Sequence, residues 1–381
     1  MPPPHDPTTS SDTKAADLLR EEGLFVVKIG SSLLVDEQSE LRLTWLKNLA
    51  QRFSELPGKI VLVSSGAIAC GRSALRLAQR PRSLAEAQAA AAIGQISLAG
   101  AWAEAWKSQG RVAAQVLLTL GDLEQRRRYL NARATLETLI EHGVVPVVNE
   151  NDTVATEEIR FGDNDRLAAR VAQLVGAGTL VLLSDVDGLY TGDPAHDPKA
   201  RHIPVIDALT PDVEAMAGEL AATGLGTGGM KSKLAAARIA TDAGVKVVLA
   251  SGRGDDPIGA LLDGAAATVF SAGARPLVAR KRWLRGLQNP LGQLMLDDGA
   301  LRALKNGASL LAVGVRTVRG DFQRGDLVSL VGPEGLCGQG LCAYDAGEAM
   351  GITGLSSERI AEALDAGGRG PMVHRDDLVL F

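Results

Sequence analysis

Aromatic side chains are scarce, at 3% of the 381 residues, and the chain carries no excess of positive charge. Few rings leave little material for the stacking platforms on which single-stranded nucleic acids bind. The formal net charge is −5, whereas nonspecific nucleic-acid binding requires a cationic surface that displaces counterions. Composition and charge therefore argue against nucleic acid as a partner.

Cysteines and long apolar runs are also lacking. The three cysteines, Cys70, Cys337 and Cys342, are an odd number without C-x-x-C spacing, which predicts neither a disulfide framework nor a zinc site. We expect unpaired thiols, no metal held by the protein alone, and a cytoplasmic location.

No run of about 18 apolar residues is present, so no membrane span is predicted. Residues 1–22 begin with a proline- and serine-rich stretch without the apolar core of a secretory signal, and we expect a flexible N-terminal extension.

Short apolar runs alternate with longer helical patterns up to about Phe270, within a chain long enough for two domains. Continuous apolar runs are typical of strands covered on both faces, as in a parallel sheet. The predicted strands are Leu24–Ile29, Lys59–Val63, Val112–Leu118, Val144–Val148, Thr179–Leu183 and Val245–Ala250. Capping signals at Ser83 to Glu86 and at Asp122 to Gln125 predict helix starts, and Gly143 predicts a helix end. The pattern indicates an α/β fold, an αβα sandwich with a mainly parallel central sheet, over residues 23–276.

The character of the chain changes near Arg280, where glycine turns and short strand-like runs begin. These runs predict a small β-rich domain over residues 277–381, with a linker at about 277–288. The predicted strands are Ser309–Val313, Asp326–Val331, Gly340–Tyr344 and His374–Leu380. Basic and acidic residues from Leu277 onward are equal in number, 12 each, so this domain is neutral.

Two clusters that suit a phosphate follow the first two predicted strands. Lys28 lies within an apolar strand, where a buried charge needs an anionic partner, and Gly30 with Ser31 and Ser32 offers backbone amides. Ser65 and Gly66 follow the next strand and lead into a helix, whose first amides bind anions. The alternatives are a lysine stem that crosses the sheet to water and an ordinary strand-to-helix turn.

Two further clusters follow later strands. Asn149 to Asp152 and Gly162 to Asp165 place polar residues around a helix start, more than capping needs. Ser184 and Asp185 follow another strand, and a glycine-rich run leads from Gly224 to Lys233. Met230 precedes Lys231 where a Walker A motif requires glycine, and no G-x-G-x-x-G follows the first strand, so neither of these nucleotide motifs is present. A phosphate-binding loop remains the favoured interpretation of Gly224–Lys233, against a plain surface loop.

Together these segments resemble the amino-acid kinase family, and within it the branch that phosphorylates glutamate. The matching stretches, from about Leu24 onward, are VVKIGSS, SSGAIA, LLTLGDLEQRRRYLNAR, VPVVNENDTVA, FGDND, SDVDGLYTGDP and GLGTGGMKSKL. The C-terminal stretches DFQRGDLVSLVG and VHRDD resemble a PUA domain. Two departures are a serine at Ser184, where the family often has threonine, and a lysine at Lys231, where it commonly has a small residue.

The resemblance implies ATP-dependent phosphorylation of the γ-carboxylate of L-glutamate, the first step of proline biosynthesis, with Mg²⁺, with proline as a feedback inhibitor and with self-association into a homo-oligomer. Lys28, Lys233 and Asp165 would be catalytic, the lysines stabilising the transferring phosphoryl group and Asp165 orienting them. Ser65, Asp152 and Asn164 would bind glutamate. ATP would be bound by Lys28, Ser184, Asp185, Thr227, Gly228, Gly229, Met230, Lys231, Ser232 and Lys233.

Two alternatives remain open at this stage. Sibling kinases act on acetylglutamate, aspartate, carbamate or UMP, and share the lysine-glycine start and the distal lysine. PUA folds often bind RNA, and Arg280, Lys281, Arg282 and Arg285 form a local basic cluster, although the neutral charge of the domain argues against that function.

Overall fold

The computed structural model describes residues 15–36, 40–77, 81, 83–155, 163–194, 196–216, 229–273, 276–356, 359–360 and 370–381. The contacts divide the chain into two units. The first comprises residues up to 120 together with 135–273, and the second comprises 121–134 together with 274–381. The predicted domain bounds of 23–276 and 277–381 stay predictions. Residues 121–134 pack with the C-terminal residues.

The first unit is built on an eight-stranded sheet with the order β3-β4-β2-β1-β5-β9-β10-β8. All neighbouring strands are parallel except β9 and β10, which are antiparallel. A separate pair, β6 and β7, is antiparallel. The strands are β1 Leu24–Ile29, β2 Lys59–Ser64, β3 Ala113–Leu118, β4 Val145–Glu150, β5 Thr179–Ser184, β6 Leu189–Tyr190, β7 His202–Ile203, β8 Val205–Ile206, β9 Lys246–Ser251 and β10 Ala267–Phe270.

Helices stand between the successive parallel strands β1 to β5 and again before β9, as the crossover connections of parallel strands require. They are α1 Ala15–Arg20, α2 Ser31–Leu34, α3 Leu43–Glu55, α4 Ala67–Gly71, α5 Leu84–Lys107, α6 Leu120–Glu124, α7 Arg126–Glu141, α8 Asp163–Val175, α9 Pro211–Met216, α10 Met230–Asp242 and α11 Pro257–Leu262. The αβα class and its mainly parallel sheet are confirmed.

Two glycines let α4 lie directly against α5. A Cβ at Gly71 would come 1.9 Å from the carbonyl oxygen of Ala90, and one at Gly94 would come 1.9 Å from that of Ala67. Gly66, just before α4, has φ of +101°, a conformation that L side chains rarely adopt. The turn after β2, which carries Ser65, is therefore fixed by backbone packing.

The second unit contains a five-stranded sheet of order β12-β11-β13-β14-β15. Its elements are α12 Pro276–Gly286, β11 Gly292–Leu296, α13 Asp298–Lys305, β12 Val315–Gly320, β13 Leu327–Gly332, β14 Gly335–Leu341, α14 Ala346–Ile352 and β15 Leu378–Leu380, with 3-10 turns at Ala312–Gly314 and Arg375–Asp377. A core that includes Phe322, Tyr344 and Met372 packs beneath this sheet.

Four expectations about elements need correction. Ser309–Val313 is not a strand, because its apolar residues enter a 3-10 turn and only Leu310 forms an isolated bridge. The predicted helix from Asp122 is divided at Gln125 into α6 and α7, and the Asp122 carboxylate instead pairs with Arg128 at 2.8 Å. Within the predicted strand His374–Leu380, residues 375–377 form a 3-10 turn.

The fourth correction concerns the predicted strand Gly340–Tyr344, of which only Gly340 and Leu341 lie in a strand, because β14 begins earlier, at Gly335.

The predicted N-terminal extension over residues 1–22 stays a prediction. Within it, residues 15–20 form α1, whose apolar Leu18 and Leu19 enter the core of the first unit. Residues 1–14 lie outside the described part of the chain.

A buried ion cluster ties the stretch 121–134 into the second unit. Arg133 Nη1 donates to both oxygens of Asp377 at 2.7 Å, and Arg280 Nε donates to Asp377 Oδ1 at 3.0 Å. Arg280 Nη1 also donates to the hydroxyl of Tyr129 at 2.9 Å. The carboxylate of Asp377 thus bridges two guanidinium groups, and Asp376 lies 3.6 Å from one of them, Arg133.

Replacing Asp377 by alanine removes the closest carboxylate of both guanidinium groups and leaves Arg133 with Asp376 at 3.6 Å. Breaking a buried pair by removing one partner costs about 3–5 kcal/mol. We expect the free energy of unfolding of D377A to fall by about that amount in urea denaturation followed by circular dichroism. D321A removes an exposed carboxylate of the same unit and should change stability by less than about 0.5 kcal/mol. Equal effects of the two substitutions would contradict the role given to Asp377.

Candidate active site

The site lies where the parallel strands of the first unit end. β4, β2, β1, β5 and β9 run in one direction, so their carboxyl ends share one edge, which is where open α/β sheets bind ligands. Lys28 is the second-last residue of β1, Ser65 follows β2, Asp152 follows β4 and Ser184 ends β5. Each of these side chains is buried. The parallel sheet therefore gathers four predicted site residues at one edge.

Two lysines share one carboxylate at this edge. Lys28 Nζ lies 2.7 Å from Asp165 Oδ1, and Lys233 Nζ lies 3.6 Å from Asp165 Oδ2. The hydroxyl of Ser232 donates to the same Oδ2 at 3.1 Å. Asp165 is completely buried, while Lys28 and Lys233 are 8% and 7% exposed. The first turns of α8 and α10 carry the carboxylate and the second lysine to the end of β1.

Asp165 stays ionised in this environment. Burial alone would raise the pKa of its carboxyl group, but the charges of Lys28 and Lys233, with hydrogen bonds from Lys28 and Ser232, outweigh it and hold the pKa below its usual range. Burial is also the main cause that lowers the pKa of Lys233. Asp165 and Asp185 oppose that shift, whereas Lys28 adds to it. The site thus carries one more cation than its bridging carboxylate compensates.

Open space adjoins the Lys28 amine because residue 30 is glycine. A Cβ on Gly30 would lie 3.9 Å from Lys28 Nζ, 3.9 Å from Ser32 Oγ and 3.7 Å from the carbonyl oxygen of Leu183. None of these distances is a clash, so Gly30 is not required for packing. The missing side chain instead leaves a methyl-sized space beside a cation and a hydroxyl group, two donors that suit a phosphate oxygen.

Three hydrogen-bonded side-chain amides include that of Asn164, the residue before Asp165. Asn149 Nδ2 donates to Gln95 Oε1 at 2.6 Å, and Asn164 Nδ2 donates to Asn149 Oδ1 at 3.4 Å. The Oδ1 atom of Asn164 is buried and accepts no hydrogen bond within the described part of the chain. A buried acceptor without a partner is costly, and a ligand ammonium group would satisfy it.

Sequence reasoning did not assign Asn149 and Gln95 to the site. Asn149 belongs to a polar cluster that was recognised, but its bond to Gln95 joins the end of β4 to the middle of α5. Gln95 stands within an otherwise apolar and alanine-rich helix, and no local motif distinguishes it.

The residues predicted to bind ATP are described in part. The hydroxyl of Ser184 donates to Asp185 Oδ1 at 2.9 Å. Gly229 caps the start of α10, Met230 is buried and Lys231 is exposed. Thr227 and Gly228 lie outside the described residues, as does the rest of the glycine-rich run before Gly229.

The described residues include no cluster of three His, Cys, Asp or Glu side chains that could hold a metal ion. All three thiols are free, and burial raises the pKa of Cys70 to about 11 and that of Cys342 to about 12. None of the described helices combines the length and apolar character needed to cross a bilayer.

Comparison with known proteins agrees with this architecture. The model of the amino acid kinase family matches residues 23–251, and that of the PUA domain matches residues 292–364. Glutamate 5-kinase 1 of Mesorhizobium japonicum is 52% identical over 95% of this chain and 97% of its own length. Glutamate 5-kinase of a Bradyrhizobium species is 53% identical over 93% and 95%. The solved UMP kinase of Ureaplasma parvum is 16% identical and covers 66% of this chain and 99% of its own, with a TM-score of 0.46.

Fold and sequence together define a phosphotransferase with an αβα catalytic unit. The chain belongs to the amino acid kinase family and carries a PUA domain after the kinase region.

The lowered pKa of Lys233 predicts a pH dependence of stability. Between that lowered value and the usual lysine pKa of about 10.4, the unfolded chain binds a proton that the folded chain has released, so the free energy of unfolding rises with pH. The unfolding free energy of the wild type minus that of K233M, measured by urea titration, should therefore increase as the pH rises through this interval.

Lys231 provides a matched control, because it is exposed and stands two residues away. The difference between the wild type and K231M should stay flat over the same interval. A flat or falling difference for K233M would show that Lys233 is not destabilised in its charged form.

Proposed function

We propose that this protein transfers the γ-phosphoryl group of ATP to the γ-carboxylate of L-glutamate, giving L-glutamyl 5-phosphate and ADP in the first step of proline biosynthesis. The observation that carries the proposal is the pair of buried lysines joined by Asp165 at the carboxyl edge of the parallel sheet. The names of relatives about 52% identical over nearly the whole chain support the acceptor.

The reaction needs charge stabilisation more than proton transfer. The γ-carboxylate is ionised at neutral pH and attacks phosphorus without a general base. A bond forms between its oxygen and the γ-phosphorus, and the bond from that phosphorus to the bridging oxygen breaks, with ADP as the leaving group. Lys28 and Lys233 stabilise the charge on the transferring group, and Asp165 holds both amines in position.

Glutamate binds through groups at the ends of β2 and β4 and at the start of α8. The unpartnered Oδ1 of Asn164 accepts a hydrogen bond from the ammonium group. Asp152 adds a negative charge for the same group, and Ser65 with the amides at the start of α4 binds a carboxylate. Asn149 and Gln95 keep the amide of Asn164 in orientation.

ATP binds on the side of Ser184, Asp185 and the run from Thr227 to Lys233, with its γ-phosphate next to Gly30. The donor set fits Mg²⁺ only as a partner of the ATP phosphates, because the two amines occupy Asp165. Mg²⁺ commonly binds through one or two carboxylates plus substrate phosphates. When bound, it neutralises phosphate charge.

The proposal extends to control and assembly. Proline shares the α-carboxylate and the ammonium group of glutamate, so the same groups can bind it as a feedback inhibitor.

Exposed Ile93, Ile96 and Leu117 lie on α5 and on the edge strand β3, and Ile96 is 78% exposed. These residues support self-association into a homo-oligomer. The three free thiols agree with action in a reducing cytoplasm.

A panel of acceptors tests the proposed substrate. With ATP and Mg²⁺, ADP release should be fastest with L-glutamate and close to background with acetylglutamate, aspartate, carbamate and UMP. Trapping the acyl phosphate with hydroxylamine should give the hydroxamate of glutamate only. Turnover of one of the other acceptors without turnover of glutamate would overturn the assignment.

Gly30 gives a test of the phosphate position. In G30A the new methyl group occupies the space beside Lys28 Nζ without a clash, so the free energy of unfolding should change by less than about 0.5 kcal/mol. We expect kcat/KM for ATP to fall at least tenfold, about 1.4 kcal/mol of transition-state stabilisation.

G23A is the matched control, because a Cβ on Gly23 meets no atom within 4 Å and this residue precedes β1. Its kinetics should equal those of the wild type. Wild-type kinetics in G30A would place the γ-phosphate elsewhere.

A further inference from the structure

A cleft of about 490 Å³ opens within the second unit, apart from the kinase site in sequence. It lies among α12, the end of α13 and the C-terminal residues, and its volume is within the range of small-molecule sites. The lining residues that matter here are four cations and four apolar side chains, namely Lys281, Arg285, Lys305, Arg375, Val278, Leu304, Leu378 and Val379.

The four cations face one cavity without an acidic side chain among the described lining residues. Lys281 and Arg285 stand one turn apart on α12, a spacing at which like charges repel. Asp376 approaches Arg375 only to 3.9 Å, and it also lies 3.5 Å from His374 and 3.6 Å from Arg133. The excess positive charge is therefore local, although the C-terminal region as a whole is neutral.

Arg280, the residue before Lys281, is a cation whose charge is compensated within this unit. Its guanidinium pairs with Asp377 and with Tyr129. Next to it in the sequence, Lys281 turns toward the cleft instead. Adjacent residues of one helix thus serve different purposes, one in a buried ion cluster and one at a cavity.

The floor of the cleft is apolar. Leu304, Leu378 and Val379 are buried, whereas Val278 at the rim is 50% exposed. A ligand that fits must combine negative charge with an apolar or ring-shaped body. Lys and Arg together are the usual donors to phosphate groups, Arg through its planar fork and Lys as a point charge.

We propose that this cleft binds a small phosphate ester with a ring-bearing body, of the nucleotide class. An extended nucleic acid fits less well, because it requires a long cationic groove, whereas the four cations line one cleft of about 490 Å³. The site is additional to the ATP site of the kinase unit.

Lysine protection in the full-length protein tests this proposal with AMP as the probe and pyrophosphate as the probe of charge alone. Each lysine is acetylated with an N-hydroxysuccinimide ester, and its modification rate is read by mass spectrometry. Saturating AMP, about ten times its dissociation constant, should slow modification of Lys281 and Lys305 about tenfold. Lys107, whose side chain is 77% exposed in the first unit, should react at an unchanged rate. Pyrophosphate should protect the same two lysines more weakly.

A matched pair of arginine variants locates the effect. R375Q removes one cation of the cleft and should weaken protection of Lys281 and Lys305 by AMP several-fold. R319Q removes an exposed cation of β12 outside the lining and should leave it unchanged. Because the readout is binding at two named lysines, it does not depend on glutamate kinase activity.

Three outcomes would overturn the proposal. The first is no protection at millimolar AMP. The second is equal protection of Lys107, or equal behaviour of R375Q and R319Q, either of which indicates general ionic screening. The third is protection by a single-stranded RNA oligonucleotide but not by AMP, which would assign the cleft to nucleic acid.

Discussion

The ion pairs between Lys28, Asp165 and Lys233 are the interaction on which the catalytic unit depends. A lysine in the central strand of a sheet covered on both faces is unfavourable without an anion, and Asp165 supplies it at 2.7 Å. The same carboxylate holds Lys233 at 3.6 Å. Three segments that are far apart in sequence, β1, α8 and α10, thereby meet at one point. Removing the carboxylate would leave two cations in mutual repulsion.

The excess charge of this group connects stability with function. Burial is the main cause that lowers the pKa of Lys233, and the neighbouring charge of Lys28 adds to that shift, whereas Asp165 and Asp185 oppose it. An anion beside Gly30 would add negative charge next to the Lys28 amine. In the proposed reaction, this interaction favours the negative charge that develops in phosphoryl transfer over neutral ligands.

The kinase sheet is predictable from sequence to a large degree, whereas the second unit is predictable only as a β-rich domain with β13 near its observed place. Strands β1 and β5 are continuous apolar runs, and such runs reveal buried parallel strands. β11 and β12 carry mixed patterns of apolar and polar residues that do not predict a strand, while the apolar run at Ser309 predicts a strand that is not there. In the site, Lys28 stands out because charge is rare inside an apolar strand. Gln95 does not, because its role comes only from the approach of α5 to Asn149.

Two buried clusters have the same composition of charge but different chemistry. Arg133 and Arg280 surround Asp377 as Lys28 and Lys233 surround Asp165. A guanidinium group is planar and delocalised and spreads its donors over several acceptors, here Asp377 and Tyr129. An ammonium group is a compact point charge with three donors that can turn toward different acceptors. The arginine cluster is therefore saturated and holds the segment 121–134 in the second unit, whereas the lysine cluster retains the capacity to bind an anion.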